Sequence, residues 1–164
     1  DEKDAHNINI SQPSNLALVT QTTLSVDDTK QIIEILKKRF PEIKSPNADD
    51  ICYATQNRQD AVKQLALETD FIIVVGSENS SNSNRLKELA ELMGTESCLV
   101  DHVSQLSEDS LKNISKLGIT SGASAPEELV KEIISYCKGF GFSTVKEIQG
   151  LKENISFKLP KELR

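Results

Sequence analysis

The sequence has no long run of lysine and arginine, no apolar run of bilayer length and no CxxC pair. Phosphate backbones are gripped by clustered cations, so a chain with a formal charge of -6 and no such cluster is not expected to bind nucleic acid. Its longest apolar run, Phe71 to Gly76, is far short of the roughly 20 residues that a membrane-spanning helix needs, and no signal-peptide pattern opens the chain. A soluble protein with no membrane partner is expected. Three widely spaced cysteines, Cys52, Cys98 and Cys137, are odd in number and do not read as a secreted disulfide framework, which points to a reducing compartment suited to thiolate chemistry. The chain also opens without a start methionine or a first strand, as a piece of a longer polypeptide would.

What is present is enough for one domain with a real core, or for one domain and part of another, since the chain has 164 residues. Residues Asp1 to Asn15 are polar, aperiodic and interrupted by Pro13, and read as a loop, a flexible arm or an insertion. Leu16 to Thr20 reads as a buried strand that runs into the hydroxyl-rich loop Thr20 to Thr23. Ser25, followed three residues later by Asp28, then starts a helix carrying Ile32, Ile35, Leu36 and Phe40 on one face and ending before Pro41 with Lys37, Lys38 and Arg39 in its last turn. The turn-rich stretch Pro41 to Asp50 is the expected boundary between the end of one domain, 16–48, and a second, 49–149.

Beyond that boundary strands and helices alternate. Asp49 to Gln59 feeds a helix with Val62, Leu65 and Ala66 inward, and strand Phe71 to Gly76 leads through a Ser/Asn-rich loop into a helix with Leu86, Leu89, Ala90 and Met93, closed by Gly94. Strand Ser97 to Asp101 leads to a weaker helix near Ser107 to Ser115, and strand Gly118 to Thr120 leads to a helix with Leu129, Ile133 and Cys137 inward. This alternation predicts an α/β fold, a parallel sheet with flanking helices. Asn154 to Pro160 alternates Ile155, Phe157 and Leu159 as an edge strand would, inside a tail, 150–164, whose apolar face needs a partner.

Open α/β sheets bind ligands beyond the C-terminal ends of their strands, where helix N-termini present unpaired N–H groups. Three loops there are dense in small hydrogen-bonding side chains: Thr20 to Thr23, Ser77 to Asn84 and Thr120 to Ser124, a pattern that suits a phosphate or diphosphate. Each also has a plain reading as a helix start. Ser124 to Glu127 forms a capping-box pattern, Asn82 or Ser83 could cap the next helix, and Thr22 and Thr23 follow their strand as turn residues. Capping needs one polar side chain, whereas Ser80 to Asn84 offers five in succession. The loops hold almost no cation besides Arg85, too few for a diphosphate, and His6 and His102 are poorly placed to help. Cys98 in a strand and Cys137 on an apolar helix stripe read as core residues. Cys52 sits in a polar stretch just before a helix N-terminus, where the dipole favours thiolate; a lone loop cysteine can equally be inert.

Five blocks carry a resemblance: Thr20 to Thr29 (TQTTLSVDDT), Asp49 to Gln59 (DDICYATQNRQ), Val75 to Leu86 (VGSENSSNSNRL), Gly118 to Pro126 (GITSGASAP) and Glu153 to Arg164 (ENISFKLPKELR). In that order they resemble the 4-hydroxy-3-methylbut-2-enyl diphosphate reductases over about Leu16 to Arg164, leaving the first fifteen residues outside. The resemblance implies three similar α/β domains around a central [4Fe-4S] cluster, of which this chain holds the end of the second, all of the third and the tail that packs on an N-terminal half. It implies that Cys52 is a cluster ligand and that Ser80, Ser81, Asn82 and Ser124 bind the substrate diphosphate. Thr22, as a catalytic residue, and Thr23, as a substrate contact, fall on the substrate side of the pocket.

The family's other two cluster cysteines, its diphosphate-binding histidines and its proton-relaying glutamate belong to the N-terminal half and are not in this sequence, which would account for the missing cations. The implied reaction is reductive removal of the substrate hydroxyl to give isopentenyl and dimethylallyl diphosphate, the last step of the non-mevalonate pathway. The cluster would act as Lewis acid and electron relay, with electrons from ferredoxin or flavodoxin, in bacterial cytoplasm or a plastid or apicoplast stroma. The competing expectations are a non-catalytic phosphate-binding α/β domain and an enzyme split between two chains. The first is separated from the reductase by whether Cys52 faces the same cavity as Ser80, Asn82 and Ser124.

Overall fold

A computed structural model describes residues 1–11, 13–45, 51–148 and 150. The expected boundary between 48 and 49, the pair Asp49 and Asp50, and the edge strand Asn154 to Pro160 lie outside the described residues.

The centre is β1 (Phe71–Val75), five consecutive apolar residues all buried, as a strand covered on both faces must be. It pairs in parallel with β2 (Glu96–Val100) on one side and β3 (Leu117–Ser121) on the other, giving the order β2-β1-β3, with Val75 level with Val100 and Ser121. Because side chains alternate along a strand, β1 feeds two cores. Ile72 and Val74 pack with Val62 of α3 (Tyr53–Glu68) and with Leu86, Leu89 and Ala90 of α4 (Ser81–Leu92). Phe71, Ile73 and Val75 pack on the opposite face with Val100, Leu106, Leu111, and Ile133 and Cys137 of α6 (Glu127–Gly139). The parallel α/β architecture read from the alternation is the one observed, with the strands expected at Phe71, Ser97 and Gly118 each within a residue of their place. Gly94 ends α4 at a φ of +86°, the left-handed conformation in which glycine costs least.

Three segments differ from expectation. The start of the chain is not all loop: Glu2–Asn7 forms α1, closed by a reciprocal cap between Asp1 and Asp4. Arg39, 34 residues further on, holds it by donating to the carbonyls of Ala5 and Ile8, a contact that no local pattern reveals. Leu16 to Thr20 makes only a single parallel bridge, Ala17 to Lys44, with Val19 82% exposed, because the described residues give this segment no sheet to join. The weak helix near Ser107 to Ser115 shrinks to one turn, α5 (Glu108–Leu111). The helix expected after Ser25 is α2 (Val26–Arg39), whose apolar residues Ile32, Ile35, Leu36 and Phe40 are only half-buried.

Candidate functional site

α3 precedes β1 and α4 follows it, both on one face and both running back against the strands, so their first turns lie at the C-terminal edge of the sheet. With 16 residues α3 is about 24 Å long at 1.5 Å per residue, against about 17 Å for the five residues of β1. Its N-terminus therefore projects past the strand ends. The chain leaves β1 towards β2 on one side while β3 flanks the other, which makes the gap between the loops after β1 and β3 the topological switch point where open α/β sheets bind ligands.

α4 begins two or three residues earlier than a cap at Asn82 or Ser83 would allow. Ser80 is the cap, its hydroxyl accepting from the Ser83 N–H at 3.3 Å. Asn84 reaches back to donate to the carbonyls of Glu78 at 2.6 Å and Ser80 at 3.0 Å, which fixes the loop. Ser81 is exposed. Asn82 is 8% exposed, and neither its Oδ1 nor its Nδ2 has a hydrogen-bond partner. An unpaired buried polar atom costs about 1–3 kcal/mol, so this amide needs an explanation that capping does not give.

Across the gap, Gly122 follows β3 and its N–H donates to the Val75 carbonyl at 2.9 Å, prolonging the ladder. A side chain on Gly122 would come within 3.7 Å of Asn82 Nδ2, so the two loops touch. The capping box expected at Ser124 is not formed: α6 starts at Glu127 behind Pro126, with no side-chain cap, and Ser124 is exposed. The preceding turn, closed by Ala125 N–H to Gly122 carbonyl at 3.1 Å, delays the helix by two residues. Ser83, readable from the sequence only as a possible cap, has a different place. It is 1% exposed and lies between Gly76 and Gly122, a placement visible only once the two strand ends are brought together.

Cys52 is exposed and stands at the N-cap position of α3 with no side-chain cap bond. Its N–H donates to the Thr22 carbonyl at 3.1 Å, and Gln59, two turns along α3 on its buried face, donates to the Leu24 carbonyl at 3.0 Å. These bonds tie the loop of Thr22, exposed, and Thr23, half-buried, to the start of α3. Arg85 at the start of α4 pairs with Asp28 at the start of α2, and Lys63 of α3 pairs with Asp27 at 2.6 Å. Thus Cys52, Thr22 and Thr23, and the Ser80 to Asn82 turn occupy the same edge and the same helical face of the sheet. They are not on opposite sides.

The other thiols differ. Burial pushes Cys98 up to about 11, and it raises Cys137 as well, so both stay protonated in the core. His102 is exposed and its ring bonds Ser104 at 2.8 Å within its own turn. Arg85, the cation of the Ser/Asn loop, is already engaged by Asp28 and Glu88. Among the described residues no group of three His, Cys, Asp or Glu side chains could hold a metal ion. An exposed thiol at a helix N-terminus fits one corner of an iron–sulfur cluster, and the described residues do not fit a complete one. A surface cavity of about 440 Å³ lined by Leu111, Ile114, Phe140 and Phe142 lies at the opposite edge, away from every candidate residue.

A family model described as LytB protein matches residues 1–138. Over all 164 residues the chain is 57% identical to a 4-hydroxy-3-methylbut-2-enyl diphosphate reductase of Saccharophagus degradans and 56% identical to one of Pseudomonas putida, covering 53% and 52% of those proteins. The structure of the E-1-hydroxy-2-methyl-but-2-enyl-4-diphosphate reductase from Plasmodium falciparum matches 98% of this chain with a TM-score of 0.86 at 36% identity, this chain covering 51% of it. The chain spans about half the length of the curated relatives it matches. The similarity includes the first fifteen residues, which the five blocks left outside.

Proposed function

This chain belongs to the LytB protein family, and on that premise we propose that it is the C-terminal half of a reductase acting on (E)-4-hydroxy-3-methylbut-2-enyl diphosphate. The products are isopentenyl and dimethylallyl diphosphate, closing the non-mevalonate pathway in bacterial cytoplasm or in a plastid or apicoplast stroma. The observation that carries this reading is the Asn82 amide, buried at the switch point with both polar atoms unpaired. A diphosphate oxygen accepting from Nδ2 would pair that atom, leaving Oδ1 to a separate donor.

In this reading Ser81, Asn82 and Ser124 bind the diphosphate from two sides, and Ser80 has a hydroxyl proton left to donate after accepting the cap bond. Thr22 and Thr23 lie towards the substrate's hydroxyl end, beside Cys52. Cys52 would be one thiolate ligand of a [4Fe-4S] cluster, which supplies Lewis acidity and electrons when bound. An N-terminal half supplies the remaining ligands, the cations that Arg85 does not provide, and the proton relay. Ferredoxin or flavodoxin delivers the electrons. Holding the diphosphate fixes where the other end of the substrate sits, so the contribution of these loops is positioning. The test is anaerobic assembly with the N-terminal half under a low-potential reductant. Both products are expected from the assembly and from neither half alone; no product from an assembly with a full iron and sulfide complement would overturn the assignment.

A further inference from the structure

We propose that Ser83 is a positioning residue that sets the separation of the two diphosphate loops, an inference that rests on the function proposed above. Gly76 and Gly122 are the first residues past β1 and β3, and each is still held by the sheet: Gly76 N–H donates to the Val100 carbonyl at 2.8 Å and Gly122 N–H to the Val75 carbonyl at 2.9 Å. Ser83 projects from the first turn of α4 into the space that side chains on both glycines would occupy, and it is 1% exposed there. A methyl group on either glycine would overlap the Ser83 hydroxyl oxygen. Ser83 also donates its N–H to the Ser80 cap and adjoins Asn82, so displacing it moves the whole binding turn relative to Gly122 and Ser124.

The two glycines are not equivalent, and that difference makes the proposal testable. A Cβ on Gly122 would be 3.5 Å from the Ser83 Cβ, an ordinary contact, whereas one on Gly76 would be 2.9 Å from it, closer than real carbon atoms approach. Removing only the Ser83 hydroxyl therefore makes room at Gly122 but not at Gly76.

The experiment measures KM for the substrate, inhibition by inorganic diphosphate, cluster absorbance and Tm in the assembled reductase. Gly122→Ala should weaken both substrate and diphosphate binding by about tenfold or more, since ångström-scale misplacement has effects of that size, while cluster absorbance is retained. Adding Ser83→Ala should restore binding to the level of Ser83→Ala alone. Gly76→Ala should not be rescued by Ser83→Ala, but should improve with Ser83→Gly. Unchanged binding in Gly122→Ala, or a double variant that recovers Tm without recovering binding, would overturn the role of Ser83. Asn82→Ala is the control for the underlying reading: if it too leaves binding unchanged, the diphosphate site itself is wrong, and if it weakens binding while the rescue fails, only the role of Ser83 falls.

Discussion

Replacing Asn82 by alanine separates a ligand-binding amide from a structural one. A buried asparagine that holds a fold together loses its hydrogen bonds on truncation and leaves its former partners unsatisfied, at about 1–3 kcal/mol. Asn82 has no such partners, because both its Oδ1 and its Nδ2 are unpaired. Truncation therefore removes a desolvated group and places a better helix former in the first turn of α4, so the ligand-free enzyme should keep its stability or gain slightly. Since about 1 kcal/mol corresponds to roughly 2–4 °C for chains of this size, Tm without ligand should fall by no more than about 2 °C. Binding should respond in the opposite sense. A hydrogen bond to a charged oxygen contributes about 1.5–3 kcal/mol, so affinity for the substrate should drop by roughly ten- to a hundredfold. The assay pairs thermal melting of the ligand-free enzyme with isothermal titration of inorganic diphosphate and with substrate KM. A Tm loss of several degrees with unchanged affinity would refute the reasoning and make Asn82 a scaffold residue.

Two further outcomes follow from the electrostatics. The Lys63 bond and charge hold the Asp27 carboxyl below its ordinary range, and Asp27 in turn raises Lys63. The stabilisation is thus full above the ordinary aspartate range and disappears as acid carries Asp27 through its lowered titration; at the other end it is lost as pH rises through the raised lysine. Asp27 is exposed and Lys63 half-buried, so solvent screens the pair and Lys63→Met should cost under about 1 kcal/mol near neutrality, and its melting gap to the unaltered protein should close in acid; a gap undiminished there would contradict the pairing. In cluster-free enzyme, iodoacetamide at pH 8 should label Cys52 first, because it is exposed. A thiol at about 11 is ionised only about one part in a thousand at that pH; peptide mass spectrometry showing Cys98 or Cys137 modified as fast as Cys52 would sink that ordering.

The sheet was legible because its signals are local. β1 is a continuous apolar run, and α4 and α6 carry apolar residues at helical spacing up to a glycine, Gly94, or a buried thiol, Cys137. The hydroxyl-rich loops after β1 and β3 could be placed at one edge because parallel connectivity puts every strand-to-helix loop there, whereas Thr20 to Thr23 is tied to the start of α3 by the Cys52 and Gln59 bonds to Thr22 and Leu24. What stayed hidden depends on distant contacts. Ser83 looks like any capping serine until Gly76 and Gly122 are side by side. The box at Ser124 satisfies the capping pattern and yet the helix starts beyond Pro126, since a competing turn closes on Gly122 first. α1 is held by Arg39 from another helix, and Leu16 to Thr20 has strand composition without a sheet to join.

The proposed identity depends on one thiol acting beside the diphosphate loops, and Cys52→Ser in the assembled, anaerobically prepared reductase tests that most directly through iron and sulfide content and cluster absorbance. The account predicts loss of the stable [4Fe-4S] complement and of turnover in that variant, with Cys98→Ser and Cys137→Ser retaining the cluster. A Cys52→Ser enzyme with the full complement of iron, sulfide and absorbance would contradict it.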